Sequence, residues 1–554
     1  MKKHLFLSFC LIFGLRLDGM TQIPTLAGPT PSKESFQPYQ VIDLSFSSQK
    51  TTKPDAWDLS FGAIFRGPSG ESLTIPGFFD GENDYRIRFS HGTTGTWTYI
   101  TYSSDPDLAG KKGQFTISGG PFFESKGPVQ INPVQPQKFQ YANGESHFPL
   151  AFELDWLFAL DYADPKGTPK TDQILDDISK NGFNHVVMNV YAYDVGWKID
   201  TSVPDRYFFG RPNYSPYGGT NENPDFSTLN TQLFENLDRV ILALQKRNMD
   251  AHLMIYVWNK QVNWPEMYSK EDNRYFDYII KRYQAFPNII WDVSKEALDY
   301  GRCDIPYLDE RISRIRKLDA FDRLITVHDY EYNSRRPDQV DFISIQSWRS
   351  QLYNHMIDAV GLHPDKPVFN IEHGGYEKGP FQSFLGTYTD AAVCLERAYE
   401  TIFGGVYGSY YWQNAAWNIV VYDALDEENS LPAPRYEYYR HLQEIFSEFP
   451  FEELEPSYPK ITTNSRLEKD NYSNNGMVLT DHQDTWLILL PKEAERTHLN
   501  IANPSKLPFR TTWIHPLTGE RKVENHPPAE NWKWKEVISP WQAQFAILAV
   551  ELVR

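Results

Sequence analysis

The chain has 554 residues, with 54 Lys and Arg against 72 Asp and Glu, and its formal net charge is −18. A chain of this length buries more than one hydrophobic core, and 41% hydrophobic with 23% charged residues excludes wholesale disorder. The acidic balance argues against a nucleic-acid partner, because phosphates would meet an excess of carboxylates. Aromatic residues make up 15% of the chain, which suits both sugar stacking and β-sandwich cores.

Residues 1–22 are predicted to be a signal peptide that is removed on export to the periplasm or the outside of the cell. Lys2 and Lys3 form a positive start, and residues 5–15 form an apolar stretch too short to span a bilayer. No later segment has ~18 consecutive apolar residues, so no membrane insertion is expected. Cys303 and Cys394 remain after cleavage. Two buried or free thiols are favoured over one disulfide, and two cysteines form neither a disulfide framework nor a zinc site.

Residues 33–120 are predicted to form an immunoglobulin-like β-sandwich. Residues 84–89 and 97–102 both alternate polar and apolar side chains, as strands with one buried face do. The turn-rich residues 91–95 between them are typical of a hairpin connection. Residues 121–138 are rich in Pro and Gly and indicate a linker or an ordered crossover.

Residues 139–450 show apolar strands alternating with amphipathic helices, the latter marked by repeats such as Leu233, Leu237 and Val240. Eight strands are predicted, at residues 148–152, 185–190, 252–257, 288–291, 324–327, 341–345, 367–371 and 408–412. This number and spacing favour a TIM barrel over an open doubly wound sheet. Residues 451–554 read as a second β-sandwich. The predicted fold is therefore a central (β/α)8 barrel flanked by two β-sandwich domains.

The working residues of a TIM barrel project from the carboxyl ends of its strands. Glu296 follows the fourth predicted strand and Glu372 follows the seventh, and these strands face each other across the barrel mouth. Cleavage of a glycosidic bond needs one protonated carboxyl group and one ionised carboxylate, ~5–5.5 Å apart in retaining enzymes. Further candidates at strand ends are predicted to bind substrate: Asp155, Trp156, Asn189, Trp258, Lys295, His328, Trp348, His373 and Trp412.

Residues 288–296, which read Asn-Ile-Ile-Trp-Asp-Val-Ser-Lys-Glu, resemble the strand-four signature of clan A glycoside hydrolases. Residues 367–372 resemble the strand-seven nucleophile segment of the same clan. The resemblance implies that Glu296 is the acid/base, that Glu372 is the nucleophile and that Trp412 is a platform under the sugar. The N-terminal region, including residues 79–81 and 95–97, is similar to a β-sandwich that precedes such barrels in multidomain bacterial proteins.

One residue departs from the clan pattern. The clan places Asn immediately before the acid/base, where it hydrogen-bonds the sugar 2-hydroxyl, and this chain has Lys295 there. The lysine would meet a carboxylate, a sulfate or a hydroxyl on the sugar, or it marks a site that has lost activity. Lys295 is also expected to lower the pKa of Glu296, which hinders a general acid unless burial offsets the effect.

The predicted function is that of a secreted retaining glycoside hydrolase acting on a plant, algal or bacterial polysaccharide or its oligosaccharides. No cofactor or metal is expected, since the chain lacks the H-E-x-x-H spacing that binds zinc in metalloproteases. Two alternatives stay open. The first is a noncatalytic glycan-binding protein with a degenerate barrel, which Lys295 contacting Glu372, or carboxylates far from ~5.5 Å apart, would favour. The second is a structural cell-surface protein whose sandwiches do the work.

Overall fold

A computed structural model describes residues 22–28, 34–49, 55–373, 376–383, 388–425, 431–457, 461–463, 477–492, 494, 496–528 and 531–554. All but the last residue of the predicted signal peptide lie outside these ranges, so export stays a prediction. None of the described helices combines the length and the apolar character needed to cross a membrane.

The N-terminal region consists of two facing β-sheets. Its strands are β1 (Thr25–Ala27), β2 (Ser35–Phe36), β3 (Ile42–Ser47), β4 (Phe61–Arg66), β5 (Ser72–Pro76), β6 (Phe78–Phe79), β7 (Asp84–Phe89), β8 (Gly95–Ser103) and β9 (Lys112–Ile117). One sheet has the order β1-β3-β7-β6 and the other β2-β9-β8-β4-β5. The alternating apolar residues of both sheets form one core between them.

The hairpin predicted between residues 84–89 and 97–102 is wrong. Strand β7 pairs with β3 and β6, whereas β8 pairs with β4 and β9 in the opposite sheet. The intervening residues therefore cross from one sheet to the other, and the Phe89 and Trp97 rings meet edge to face, 5.0 Å apart, in the core. Alternation reveals which face of a strand is buried, but it does not identify the neighbouring strand.

Residues 129–453 form the central barrel and the hairpins that lead into it. The strands are β10 (Val129–Ile131), β11 (Phe139–Tyr141), β12 (Ser146–His147), β13 (Leu150–Glu153), β14 (His185–Asn189), β15 (Tyr217–Gly219), β16 (Pro224–Leu229), β17 (Asp250–Val257), β18 (Ile289–Lys295), β19 (Ile325–His328), β20 (Ile343–Gln346), β21 (Val368–Glu372), β22 (Tyr376–Glu377), β23 (Tyr388–Thr389) and β24 (Tyr407–Tyr410). Eight of them form one parallel sheet in the order β19-β18-β17-β14-β13-β24-β21-β20. The predicted fold class is confirmed.

The helices of the barrel are α1 (Pro169–Ser179), α2 (Thr231–Gln245), α3 (Lys270–Tyr283), α4 (Ile305–Leu318), α5 (Tyr330–Arg335), α6 (Leu352–Leu362), α7 (Ala391–Phe403), α8 (Gln413–Ala416) and α9 (Tyr436–Glu448). Three long helices begin at residues whose side chains accept a backbone N–H of the first turn, namely Asn230, Ser269 and Asp304. Such caps satisfy donors that the helix itself leaves unpaired, and they set where each helix starts.

The barrel closes between β19 and β20. The Asp341 N–H donates to the Ile325 carbonyl over 2.9 Å, and the Thr326 hydroxyl lies 3.0 Å from the Ser344 hydroxyl. The Asn333 side chain of α5 then donates to carbonyls on both strands. Closure brings the carboxyl ends of all eight strands into one ring, which is where a TIM barrel places its active site.

The C-terminal region contains β25 (Glu455–Pro456), β26 (Ile461–Thr463), β27 (Met477–Thr480), β28 (Thr485–Leu490), β29 (Arg496–Ala502), β30 (Phe509–Ile514), β31 (Arg521–His526), β32 (Asn531–Ile538) and β33 (Ala546–Leu552). Six strands form the sheet β25-β27-β28-β33-β30-β31, and three form β26-β29-β32. Alternate residues of the larger sheet, such as Leu487 and Ile547, pack on the barrel core. The intervening residues, such as Ile488 and Leu548, pack on the other side.

A buried ion network joins the N-terminal sheets to the barrel. Arg88 is fully buried and contacts Asp43 at 2.8 Å and Asp238 of α2 at 2.7 Å. Arg282 of α3 contacts the same Asp238 at 2.6 Å and Asp80 at 2.5 Å. The carboxylates and guanidinium groups satisfy one another across the interface, so the two domains pack in one orientation.

We expect Arg88→Met to lower the free energy of unfolding by roughly 3–5 kcal/mol, because it leaves Asp43 and Asp238 buried with fewer partners. Urea unfolding followed by tryptophan fluorescence measures the change. Arg510→Met is the matched control, since Arg510 makes an exposed bidentate pair with Glu551 of the kind worth about 0–1 kcal/mol. Equal effects of the two substitutions would contradict the structural role of the network.

Candidate active site

Two irregularities in the strands shape the carboxyl end of the barrel. The pairing of β18 with β19 shifts register between Asp292 and Lys295, and that of β20 with β21 shifts before Gln346. Such bulges re-aim the side chains that follow them. The second shift pairs Gln346 with Glu372, so the amide of one strand lies beside the carboxylate of the next.

Gln346 connects the two glutamates that the sequence singles out. Its Nε2 donates to Glu296 Oε1 over 3.1 Å and to Glu372 Oε2 over 2.6 Å. These two carboxylate oxygens are therefore separated by at most the sum of the two distances, about 5.7 Å. This limit accommodates the ~5–5.5 Å spacing of carboxyl groups in retaining glycosidases.

Glu296 occupies a half-buried position directly after β18. Its backbone has φ 54°, a left-handed conformation that a residue with a side chain adopts at a cost, and its N–H donates to the His328 carbonyl. Asn259 donates to Glu296 Oε2 over 2.5 Å. Burial raises the pKa of Glu296, the charge of Glu372 adds to the effect, and both outweigh the opposing Lys295. Burial thus offsets the lysine, as a general acid requires.

Lys295 lies at the centre of a buried charge cluster. Its Nζ contacts Glu153 Oε1 at 2.7 Å and Glu372 Oε1 at 2.8 Å, and lies 3.8 Å from Asp155 Oδ2. Burial opposes its charge, but the surrounding carboxylates raise the pKa of Lys295 well above its usual range. Burial raises the pKa of Glu153, whereas Lys295 and Lys260 overcome burial and lower that of Asp155. The lysine thus supplies the cation that these carboxylates share.

Glu372 ends β21 and is held from several sides. Besides Lys295, its Oε1 accepts the Tyr411 hydroxyl over 3.0 Å and lies 3.4 Å from His328 Nε2. Burial, followed by the charge of Lys295, lowers the pKa of His328 well below its usual value, so this imidazole is neutral. Lys295, Tyr411 and His328 thus hold the Glu372 carboxylate in one position.

Several predicted substrate-binding residues are as deeply buried as Glu372 and Lys295. Asp155 is fully buried and pairs with Lys260 at 3.0 Å, which is the role of a structural partner. Trp156 and Asn189 are also fully buried. Of the predicted residues, the barrel therefore brings Lys295, His328 and Asp155 close to the two glutamates.

The predicted aromatic residues divide in the same way. Trp412 is 1% exposed and Trp258 is 6% exposed, with its Nε1 donating to Ser294 over 2.6 Å. His373 is buried too, and its carbonyl oxygen accepts a hydrogen bond from Arg397 Nε. Trp348 is 42% exposed and packs on Tyr376, with ring centroids 5.0 Å apart. Trp348 is therefore the predicted ring most available to a sugar.

The predicted site set omits Gln346 and Asn259, although both stand at strand ends, and Tyr411 was not considered. Gln346 and Asn259 follow predicted strands and Tyr411 is the last residue but one of the eighth, so a position near a strand end was the available signal. Tyr411 stands next to Trp412, and the structure directs the tyrosine hydroxyl to Glu372 while Trp412 packs inside. The Tyr376 ring contacts the rings of Tyr411 and Trp417, and on its other side it contacts the exposed Trp348.

Residues 137–453, more than half of the chain, match the apiosidase-like catalytic domain. The chain belongs to the apiosidase-like family. Residues 35–104 match a domain of unknown function, DUF5060, within the N-terminal sheets. No curated protein matches this apiosidase-like chain.

Solved structures share the architecture of this family member. A candidate glycoside hydrolase from Bacteroides vulgatus has 19% identity and a TM-score of 0.73, with 94% of this chain and 100% of the other covered. A family 5 glycoside hydrolase from the same species has 17% identity and a TM-score of 0.57, covering 77% and 94%. At these identities the likeness establishes the fold. Together with the family match, it confirms the predicted resemblance to clan A glycoside hydrolases, and the chain is a glycosidase.

Proposed function

We propose that this apiosidase-like chain is a retaining glycosidase that acts through Glu296 and Glu372. The observation that carries the proposal is the Gln346 bridge, which limits the distance between Glu296 Oε1 and Glu372 Oε2 to about 5.7 Å. Inverting enzymes hold their carboxyl groups ~6.5–9.5 Å apart to admit a water molecule, which is wider than this limit. The raised pKa of Glu296 supports its role as the proton donor.

In the first step, a Glu372 oxygen attacks the anomeric carbon while the bond from that carbon to the leaving oxygen breaks. The Glu296 proton passes to the leaving oxygen, which departs as an alcohol. In the second step, the ionised Glu296 takes a proton from water, whose oxygen attacks the same carbon and releases Glu372. Two inversions give net retention.

The family name directs the choice of substrate. Apiosides are therefore the first substrates to test, within the wider set of plant, algal and bacterial glycans. The exposed Trp348 and the Tyr376 beneath it offer a face for stacking on the sugar or its neighbour.

The experiment is to incubate wild type, Glu296→Ala and Glu372→Ala with a glycan panel that includes apiosides, and to identify the released sugars. Release by wild type that both substitutions abolish is the expected result. The anomer released first, read by proton NMR, tests retention. Release that survives Glu372→Ala would overturn the mechanism.

A glycan-binding barrel without activity is the second candidate, and one observation favours it. The Lys295 ammonium lies 2.8 Å from Glu372 Oε1, where it would compete with a substrate for the nucleophile. Two observations count against it: Lys295 is shared with Glu153, and Glu372 Oε2 faces Gln346 on the side of Glu296.

Lys295→Asn separates the two candidates. For a hydrolase we expect the substitution to lower kcat at least tenfold and to destabilise the fold by roughly 3–5 kcal/mol, because Glu153 and Glu372 lose a buried cation. For a disarmed barrel, wild type is inactive and Lys295→Asn gains activity. Lys295→Arg, which keeps the charge, is the control. Kinetics on the released sugar and thermal unfolding give both readouts.

A further inference from the structure

Three buried ligand-type side chains meet at the end of the barrel opposite the glutamates. His147 ends β12, while His185 and Asp250 begin β14 and β17 and are paired in register. One ligand atom from each lies within 4.8 Å of the others. His147 Nε2 is 2.8 Å from Asp250 Oδ2, and His185 Nδ1 is 3.4 Å from the same oxygen.

The hydrogen bonds next to this cluster determine where its protons are. Asp292 accepts two backbone N–H groups at Oδ1, and its Oδ2 lies 3.1 Å from His252 Nε2. His252 therefore donates from Nε2 and, when neutral, accepts at Nδ1. That nitrogen lies 3.1 Å from His185 Nε2, which must then be the donor.

This chain of donors leaves His185 Nδ1 with a lone pair. The lone pair faces Asp250 Oδ2, so two acceptors stand 3.4 Å apart with nothing between them to attract both. Among the described residues, neither of these atoms nor His147 Nε2 has a partner in hydrogen-bond geometry, although all three are buried. A cation between the three side chains would attract both of these acceptors and His147 Nε2 as well.

We infer that His147, His185 and Asp250 bind one divalent transition-metal ion, best fitted by zinc. Two imidazoles and a carboxylate are zinc ligands, and ligand atoms about 2.1 Å from a tetrahedral ion lie roughly 3.4 Å apart. The distance from His185 Nδ1 to Asp250 Oδ2 already has this value. The distance from His147 Nε2 to the same oxygen would have to increase by about half an ångström. A cavity of about 20 Å³, lined by Asp250, Tyr141 and Asn288 but by neither histidine, is large enough for one water beside the carboxylate.

The ion has a structural role. Strand β17 begins at Asp250 and ends at Val257, so the cluster lies roughly 23 Å from the barrel mouth at ~3.3 Å per residue. Bound there, the ion ties the β11–β12 hairpin to β14 and β17 at the base of the barrel. His252 hydrogen-bonds His185, and Asp292 hydrogen-bonds His252. Residues that hydrogen-bond metal ligands orient those ligands in the same way.

The test uses the full chain without a polyhistidine tag, stripped with chelator and titrated with zinc sulfate by calorimetry. We expect one ion per chain, a melting temperature that rises with zinc, and at least a 100-fold loss of affinity in His147→Gln and Asp250→Asn. His482→Gln, at an exposed histidine, is the control and keeps the ion.

Cobalt(II) gives a readout that does not depend on the variants folding. In wild type we expect the visible absorption of a four-coordinate nitrogen and oxygen site, displaced by one equivalent of zinc. A wild-type chain that binds neither ion, or equal zinc affinity in wild type and a folded His147→Gln, would overturn the inference. The cluster would then be closed by a proton on His185.

Discussion

Glu372→Gln is expected to reduce sugar release on the order of 10⁴-fold or more, the largest effect of any substitution discussed. The amide has nearly the shape of the carboxylate but cannot form the glycosyl-enzyme bond, so the two-step route is lost. Gln346 and Tyr411 keep hydrogen-bonding partners at position 372, and we therefore expect the fold to persist. Initial rates on the substrate that the panel identifies measure the loss.

The control and the rescue make this result specific. Glu455→Gln changes an exposed glutamate outside the barrel mouth and is expected to leave the rate unchanged. Glu372→Ala opens space for azide, which is expected to restore release of the leaving group and to yield a glycosyl azide of inverted configuration. A rate within tenfold of wild type in Glu372→Gln would exclude the residue as nucleophile.

Glu296→Gln is expected to lower kcat/KM by about 10²–10⁴-fold on substrates with poor leaving groups, because proton donation is lost. Aryl glycosides with good leaving groups need little protonation, so their first step is expected to be nearly unaffected. A uniform loss on both substrate types would instead indicate that the substitution disturbs Glu372 through Gln346.

The pH profile tests the same residue with the wild-type protein. Burial and the neighbouring Glu372 raise the pKa of Glu296, so its acid form persists above the usual range of a glutamate. As the pH rises through this raised pKa the donor ionises, and kcat/KM is expected to fall. The falling limb is expected to be absent from Glu296→Gln measured on a good leaving group, and its persistence there would assign it to another group.

Lys295 shows how burial changes the meaning of a residue. On the sequence it stands beside Glu296 and is expected to lower its pKa. In the structure its ammonium is directed to Glu153 and Glu372, while desolvation dominates the pKa of Glu296. At the position where the clan has an asparagine, this chain thus has a buried cation that Glu153 and Glu372 share.

The sequence by itself predicted the barrel with its flanking β domains, which the structure confirms, and it singled out Glu296 and Glu372 as candidates. These follow from local patterns: apolar runs and helical repeats set the elements, and strand ends mark Glu296 and Glu372 without knowledge of any contact. The sequence did not predict which strands pair in the N-terminal sandwich, because alternation shows which face of a strand is buried but not which strand lies beside it.

The tertiary structure decided which strand-end residues form the site. Register shifts in β18 and β20 brought Lys295 and Gln346 to the glutamates, whereas Trp156 and Trp412 pack within the hydrophobic core of the barrel. The grouping of His147, His185 and Asp250 likewise needed three separate segments to meet. Such distances depend on packing between residues far apart in the chain, and a pattern that is read along one strand holds no information about them.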